Sequence, residues 1–202
     1  SENHGEIDWV AALHPEAANY TDVYYEHHLI GKVPTVMAHC IHLSDVEMDR
    51  MAETQTMVAH CPYSNVNLSS GIAPIRKLFE RKIPIGLGSD ISGGHIVSMA
   101  KVLTEAIGLS KMKWVEVDQT YVPLTLSEAF YMATKGGGKF FGKVGSFEKG
   151  CELDALVIDD TTLFDPNERS LEERLERWLY VGDDRHIVER YVAGKVAPEP
   201  TI

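Results

Sequence analysis

Three residues able to move protons or hold a metal close three short apolar runs in succession. His39 follows Val36-Met37-Ala38, His60 follows Met57-Val58-Ala59, and Asp90 comes three positions after Ile85-Gly86-Leu87. Each run has the length and apolar content of a buried strand. In barrels that alternate strands and helices, chemistry sits at the C-terminal strand tips, so the three endings predict a shared polar site at a barrel mouth. Read alone, Asp90 serves equally well as a helix cap or in a Ser-Asp turn. His95 either lines the same site or is solvated, and Glu2 carries no signal from pattern or spacing.

Other chemistries fit less well. His39-Cys40 and His60-Cys61 look like a Cys/His zinc site, but neighbours on an extended strand face opposite ways, so each pair offers one inward ligand. Cys61 has no His and Asn fixed around it by sequence, which argues against a nucleophile and for small apolar packing. A phosphate cradle wants a strand before its glycines and Lys-Ser or Lys-Thr after them. Gly136-Gly137-Gly138 instead follows a helical pattern and precedes Lys139-Phe140. His14-Pro15-Glu16 superficially fits the cytidine-type deaminases, but no Pro-Cys-x-x-Cys follows. His4, His14, His27, His28, His42 and His186 read as surface residues.

The elements that must position these groups alternate. Helical spacing runs over Glu6 to Leu13 and from Thr21 to Gly31, and strands are expected at Pro34–Ala38 and Thr56–Ala59. Between those strands, Ser44-Asp45-Val46-Glu47 is a capping box that opens a helix through Met48 and Met51. A long polar loop is expected from Cys61 to Gly71, then a helix with Pro74 as its first residue. The strand before Asp90 follows, and then a helix within 92–110. This order of strand and helix predicts a parallel sheet or barrel. After Tyr121 come a capped helix from Thr125, a strand at 154–158, a capped amphipathic helix at 170–180 and an alternating strand at 188–192. Strands of that kind predict a separate small β layer.

Composition narrows the partners. The 202 residues carry a formal charge of -11, with no cluster of Lys and Arg to hold nucleic acid or an anionic membrane, so a small-molecule ligand is expected. No apolar run approaches the roughly 20 residues of a membrane helix. Three widely spaced cysteines indicate neither a disulfide framework nor a thiolate zinc knuckle, and a reducing cytoplasm is the expected setting. The chain opens on Ser1-Glu2-Asn3 without an initiator Met, so it is expected to be part of a longer protein.

Taken together, several motifs resemble the guanine deaminases of the amidohydrolase superfamily. They are Ser1-Glu2-Asn3, Asn19-Tyr20-Thr21, Thr35-Val36-Met37-Ala38-His39, His60-Cys61-Pro62 with Ser64-Asn65, Gly86-Leu87-Gly88-Ser89-Asp90 with Gly93-Gly94, and Gly182-Asp183-Asp184-Arg185 with Tyr191-Val192-Ala193-Gly194-Lys195. The likeness spans nearly the whole chain. It implies an α/β fold: residues 1–142 as the C-terminal half of a (β/α)8 barrel, and 143–202 as strands of a small β-sandwich domain.

The resemblance further implies hydrolytic deamination of guanine to xanthine and ammonia, a reaction at a C–N bond of a cyclic amidine. One zinc ion is implied, with iron as the alternative, and zinc lowers the pKa of water to about 7. Asp90 matches the family's metal-ligating aspartate, Glu2 its proton-shuttling glutamate and His39 its sixth-strand histidine. All three would also contact the purine. The remaining histidine ligands would lie upstream of Ser1, in the other half of the same protein. Alone, these 202 residues are therefore expected to bind no stoichiometric zinc, to deaminate nothing and to expose sheet edges prone to association. The full enzyme is expected to be a homodimer. Competing readings are a related amidohydrolase acting on another purine or a triazine, and a catalytically silent barrel scaffold.

Overall fold

A computed structural model describes residues 1–198. Its first half is built on three short parallel strands in consecutive order: β1 (Val36–Ala38), β2 (Met57–His60) and β3 (Ile85–Leu87). Val36 pairs with Met57, and Val58 with Ile85. Parallel neighbours need a crossover, and helices supply each one. Before β1 lie α1 (His4–Leu13) and α2 (Tyr20–Glu26). Next come α3 (Asp45–Thr54) between β1 and β2, and α4 (Pro62–Asn67) with α5 (Ile75–Glu80) between β2 and β3. After β3 runs α6 (Met99–Glu116).

Local chemistry explains most boundaries. Asn3 caps α1 and Asn19 caps α2 through side-chain oxygens that accept backbone N–H groups. Ser44 and Glu47 form the reciprocal box expected for α3. α2 stops at Glu26, short of the expected Gly31, because His28 takes a left-handed turn (φ 60°). Pro74 stands at the N-cap, one position before the first helical residue of α5. The expected loop from Cys61 to Gly71 instead begins with α4. Pro62 starts this helix, and its Ser64 and Asn65 are buried, so the polar composition faces inward rather than marking a loop.

The core lies between the sheet and its helices. Val58 and Ile85 from the strands pack in one cluster with Met48, Met51, Leu78 and Leu103. Beyond α6, the Thr125–Glu128 capping box opens α7 (Leu126–Tyr131), which continues as a π-helical turn over Met132–Gly136. The glycines here serve close packing against β3. A Cβ on Gly136 would come within 2.7 Å of the Ile85 carbonyl oxygen, and one on Gly86 within 2.9 Å of the Gly137 Cα.

A second sheet follows: β4 (Ala155–Ile158), β5 (Ile187–Val192) and β6 (Lys195–Val196), all antiparallel. Between β4 and β5 lies α8 (Leu171–Val181), whose Trp178 and Leu179 reach the main core. Lys101 from α6 donates to the carbonyls of Leu179 and Tyr180, placing a cation at the negative end of α8.

Candidate active site

The parallel register brings the ends of β1 and β3 to one edge of the sheet, and the first residues of the chain join them there. Ile41 donates its N–H to the Ser1 carbonyl, and the Ser1 hydroxyl donates to the His42 carbonyl. Ser1 is thereby buried against the segment just past β1. Glu2 follows it into the cleft, where its Oε1 accepts from the Ser70 hydroxyl at 2.8 Å. The other oxygen, Oε2, lies 3.8 Å from His39 Nε2. Asp90 Oδ2 is also 3.8 Å from that nitrogen. Glu2, His39 and Asp90 therefore converge on a single imidazole nitrogen.

Both contacts are longer than a hydrogen bond. They leave Nε2 facing a gap of the size that a water or a substrate atom bridges. The opposite ring nitrogen is engaged: His39 Nδ1 lies 2.9 Å from Asn65 Oδ1. With that amide oxygen accepting, Nδ1 carries the proton and Nε2 points toward the two carboxylates.

The backbone is bent to achieve this. His39 (φ 63°), Cys40 (φ 49°) and Asp90 (φ 45°) all sit in the left-handed region. That conformation costs on the order of 1–3 kcal/mol per non-glycine residue and concentrates at functional sites. The surrounding ladder holds it, because His39 N–H donates to Ala59 and Gly88 N–H donates to His60. Gly93 leaves room here: a Cβ would meet Ser64 Oγ at 2.6 Å and Asp90 Oδ2 at 2.8 Å unless those side chains moved.

His60 does not join the cluster as its position at a strand end suggests. Alternation places its side chain on the same face as Val58, toward the helices, where it is fully buried and its Nδ1 has no partner. Burial, with the His39 ring nearby, pushes its pKa down to about 4, so it is neutral at pH 7. His95 is exposed and stacks edge-on against Tyr63 at 4.9 Å between centroids. Among the histidines expected at the surface, His4, His27 and His28 are exposed. His14, His42 and His186 are half-buried, and His42 Nε2 bonds the Ser70 carbonyl.

Cys40 and Cys61 are buried, and burial pushes both thiols up to about 11. At that value neither is a thiolate at neutral pH, which suits packing rather than nucleophilic attack.

A cleft of about 260 Å³ borders the cluster, walled by Glu2, Glu6, Tyr20, Tyr24, Thr35 and His39 among others. Glu6 accepts from the Glu2 N–H and, at 2.6 Å, from the Tyr20 hydroxyl. A much larger groove of about 1480 Å³ is apolar, lined by Met57, Gly86, Phe130, Phe141, Trp178 and Tyr191 among others. It reaches none of the three converging residues, so size alone is a poor guide to the chemistry here.

For a metal, Asp90 offers a half-exposed carboxylate beside the His39 imidazole. Among the described residues, no three His, Cys, Asp or Glu side chains are grouped to hold an ion. A catalytic zinc takes about three protein ligands. A carboxylate such as that of Asp90 has the chemistry of one such ligand.

Comparison with known proteins identifies the family. The family model described as "Amidohydrolase family" matches residues 1–197. Guanine deaminase of Dictyostelium discoideum is 40% identical over 201 residues, covering 96% of this chain and 44% of the relative. A solved guanine deaminase from C. acetobutylicum, with guanine bound in its active site, superposes with a TM-score of 0.93 at 51% identity, covering 97% of this chain and 46% of that one. An adenosine deaminase from Xanthomonas campestris, solved with bound zinc, gives a TM-score of 0.76 at 25% identity, covering 96% and 43%. The chain thus spans less than half the length of the proteins it resembles, and the family is typically metal-dependent. With its sequence matched almost end to end and its α/β fold shared, the chain belongs to the amidohydrolase family.

Proposed function

We propose that this chain is the C-terminal part of a zinc-dependent guanine deaminase, which hydrolyses guanine to xanthine and ammonia. The observation that carries the reading is the convergence of Glu2 and Asp90 on His39 Nε2, each at 3.8 Å. The guanine deaminases it resembles supply the substrate class. In this reading residues 1–142 complete a (β/α)8 barrel with an upstream half of the same protein, and 143–202 add strands to a β-sandwich. The same resemblance extends the proposal to a cytoplasmic homodimer.

Zinc, when bound by Asp90 and histidines from the upstream half, supplies an activated water at neutral pH. Asp90 Oδ2 accepts the proton that this water gives up. His39 Nε2, with the ring proton held on Nδ1, accepts a hydrogen bond from the attacking water and so orients its oxygen toward the amino-bearing carbon. Glu2, carrying a proton on the oxygen that Ser70 leaves free, Oε2, gives it to the purine ring nitrogen, then takes the proton of the newly added hydroxyl and passes it to the departing amine; the proton held on Asp90 returns to Glu2 to restore it. The carbon–amine bond breaks, ammonia leaves, and the purine keeps the oxygen of water.

The test is substrate consumption by the full-length protein presented separately with guanine, an oxidised guanine, an adenosine-type purine and an amino-triazine. Guanine should disappear fastest, with xanthine and ammonia formed one to one. Guanine left intact while another amine is consumed would replace this reading with that of a related deaminase. Inertness toward all of them, with metal bound, would favour a silent scaffold.

A further inference from the structure

We propose that the segment Ser64–Ser70, formed by α4 and the turn that leaves it, is the positioning element of the site, with Asn65 at its centre. The inference rests on the functional reading above and adds to it residues that hold the reacting groups without touching substrate. Two of the three groups are held by hydrogen bonds from this segment, and the third lies beside the same glycine as its Ser64. The Asn65 amide oxygen holds His39 Nδ1 at 2.9 Å, and the Ser70 hydroxyl holds Glu2 Oε1 at 2.8 Å. The Ser64 hydroxyl and Asp90 Oδ2 both lie within 3 Å of the point a Cβ on Gly93 would occupy.

The segment is also internally tied. Asn65 accepts the Ser70 N–H at 2.8 Å through its own carbonyl and donates its N–H to Cys61. One residue thus links the imidazole to the hydroxyl that grips Glu2. Packing alone does not account for this composition. Ser64 and Asn65 are fully buried polar residues, and Ser64 Oγ and Asn65 Nδ2 have no partner. A buried, unsatisfied polar atom costs about 1–3 kcal/mol. Apolar residues of similar volume would cost less, so these side chains serve the geometry rather than stability. Groups that orient a catalytic or metal-ligating histidine typically carry an effect of about 10- to 100-fold.

The test uses the full-length, metal-loaded protein with Asn65→Leu and Asn65→Asp, together with nitrogen-15 NMR of the His39 ring. Asn65→Leu keeps the volume and loses the acceptor. It should lower kcat by about 10- to 100-fold with KM changed by less than about threefold, and move the ring proton away from Nδ1. Asn65→Asp keeps the acceptor and should recover most of kcat with the Nδ1–H tautomer retained. If Asn65→Leu fails to fold, Asn65→Ser, too short to reach the ring, carries the same expectation. A native kcat and an unchanged His39 tautomer in the variant without an acceptor would overturn the proposal. The NMR reading stands apart from the substrate: if the wild-type protein ignores guanine, the function fails while the ring assignment is still decided.

Discussion

The two sheets of this chain carry their apolar residues in opposite ways. In the parallel sheet, Val58 and Ile85 are sealed beneath helices, and the strand tips hold backbone in left-handed conformations. In the antiparallel sheet, Leu156 and Val188 are each 52% exposed and Val192 61%, and nearby ion pairs such as Arg174–Asp160 lie at the surface. A rigid, dry layer can bear the strain of aimed side chains, whereas a half-covered sheet cannot. It follows that the site is built on the first sheet, and that the second depends on whatever covers it for its own stability.

Cavity-forming substitutions test this contrast with the largest expected effect. Leu78→Ala, beneath the parallel sheet, should destabilise the chain by about 2–5 kcal/mol in denaturant unfolding, against less than about 1 kcal/mol for Leu156→Ala. Equal losses at the two positions would show that the sheets are equally packed.

Acid should separate the regions next. His60 is neutral when folded, with a pKa near 4, but titrates near 6.5 in the unfolded chain. Its contribution is therefore complete above pH 6.5 and is lost as pH falls toward 4, a change of about 3 kcal/mol. Urea unfolding across that range should show the decline, and His60→Leu should flatten it.

The smallest effect is expected at the Arg76–Glu128 pair, which ties α5 to α7 in two hydrogen bonds. The guanidinium holds the Glu128 carboxyl down to about 2. Stability from this pair is present above about pH 4.5 and fades as pH falls toward 2. Glu128→Gln should cost about 1 kcal/mol at neutral pH and nothing measurable near pH 2.

How much of this was legible in the sequence depended on whether the signal was local. Ser44 with Glu47, Thr125 with Glu128, and Ser170 with Glu173 announce their helices within four residues, and all three boxes form. The three parallel strands could be read from apolar runs, and with them the placement of His39 and Asp90 on one edge. His60 could have been assigned to the helix side from its alternation with Val58. α4 could not be read, because its buried Ser64 and Asn65 look like loop residues until the groups they hold are known. Glu2 was visible only through resemblance, since Ser70, which fixes it, lies 68 positions away.

The central claim is that Glu2, His39 and Asp90 act as one proton-handling cluster. Its most direct test is guanine turnover by the full-length protein carrying Glu2→Gln, with metal content and guanine affinity measured on the same sample. The account predicts that kcat falls by about 10²- to 10⁴-fold while metal and guanine stay bound. A metal-loaded Glu2→Gln protein that turns over guanine at the wild-type rate would contradict it.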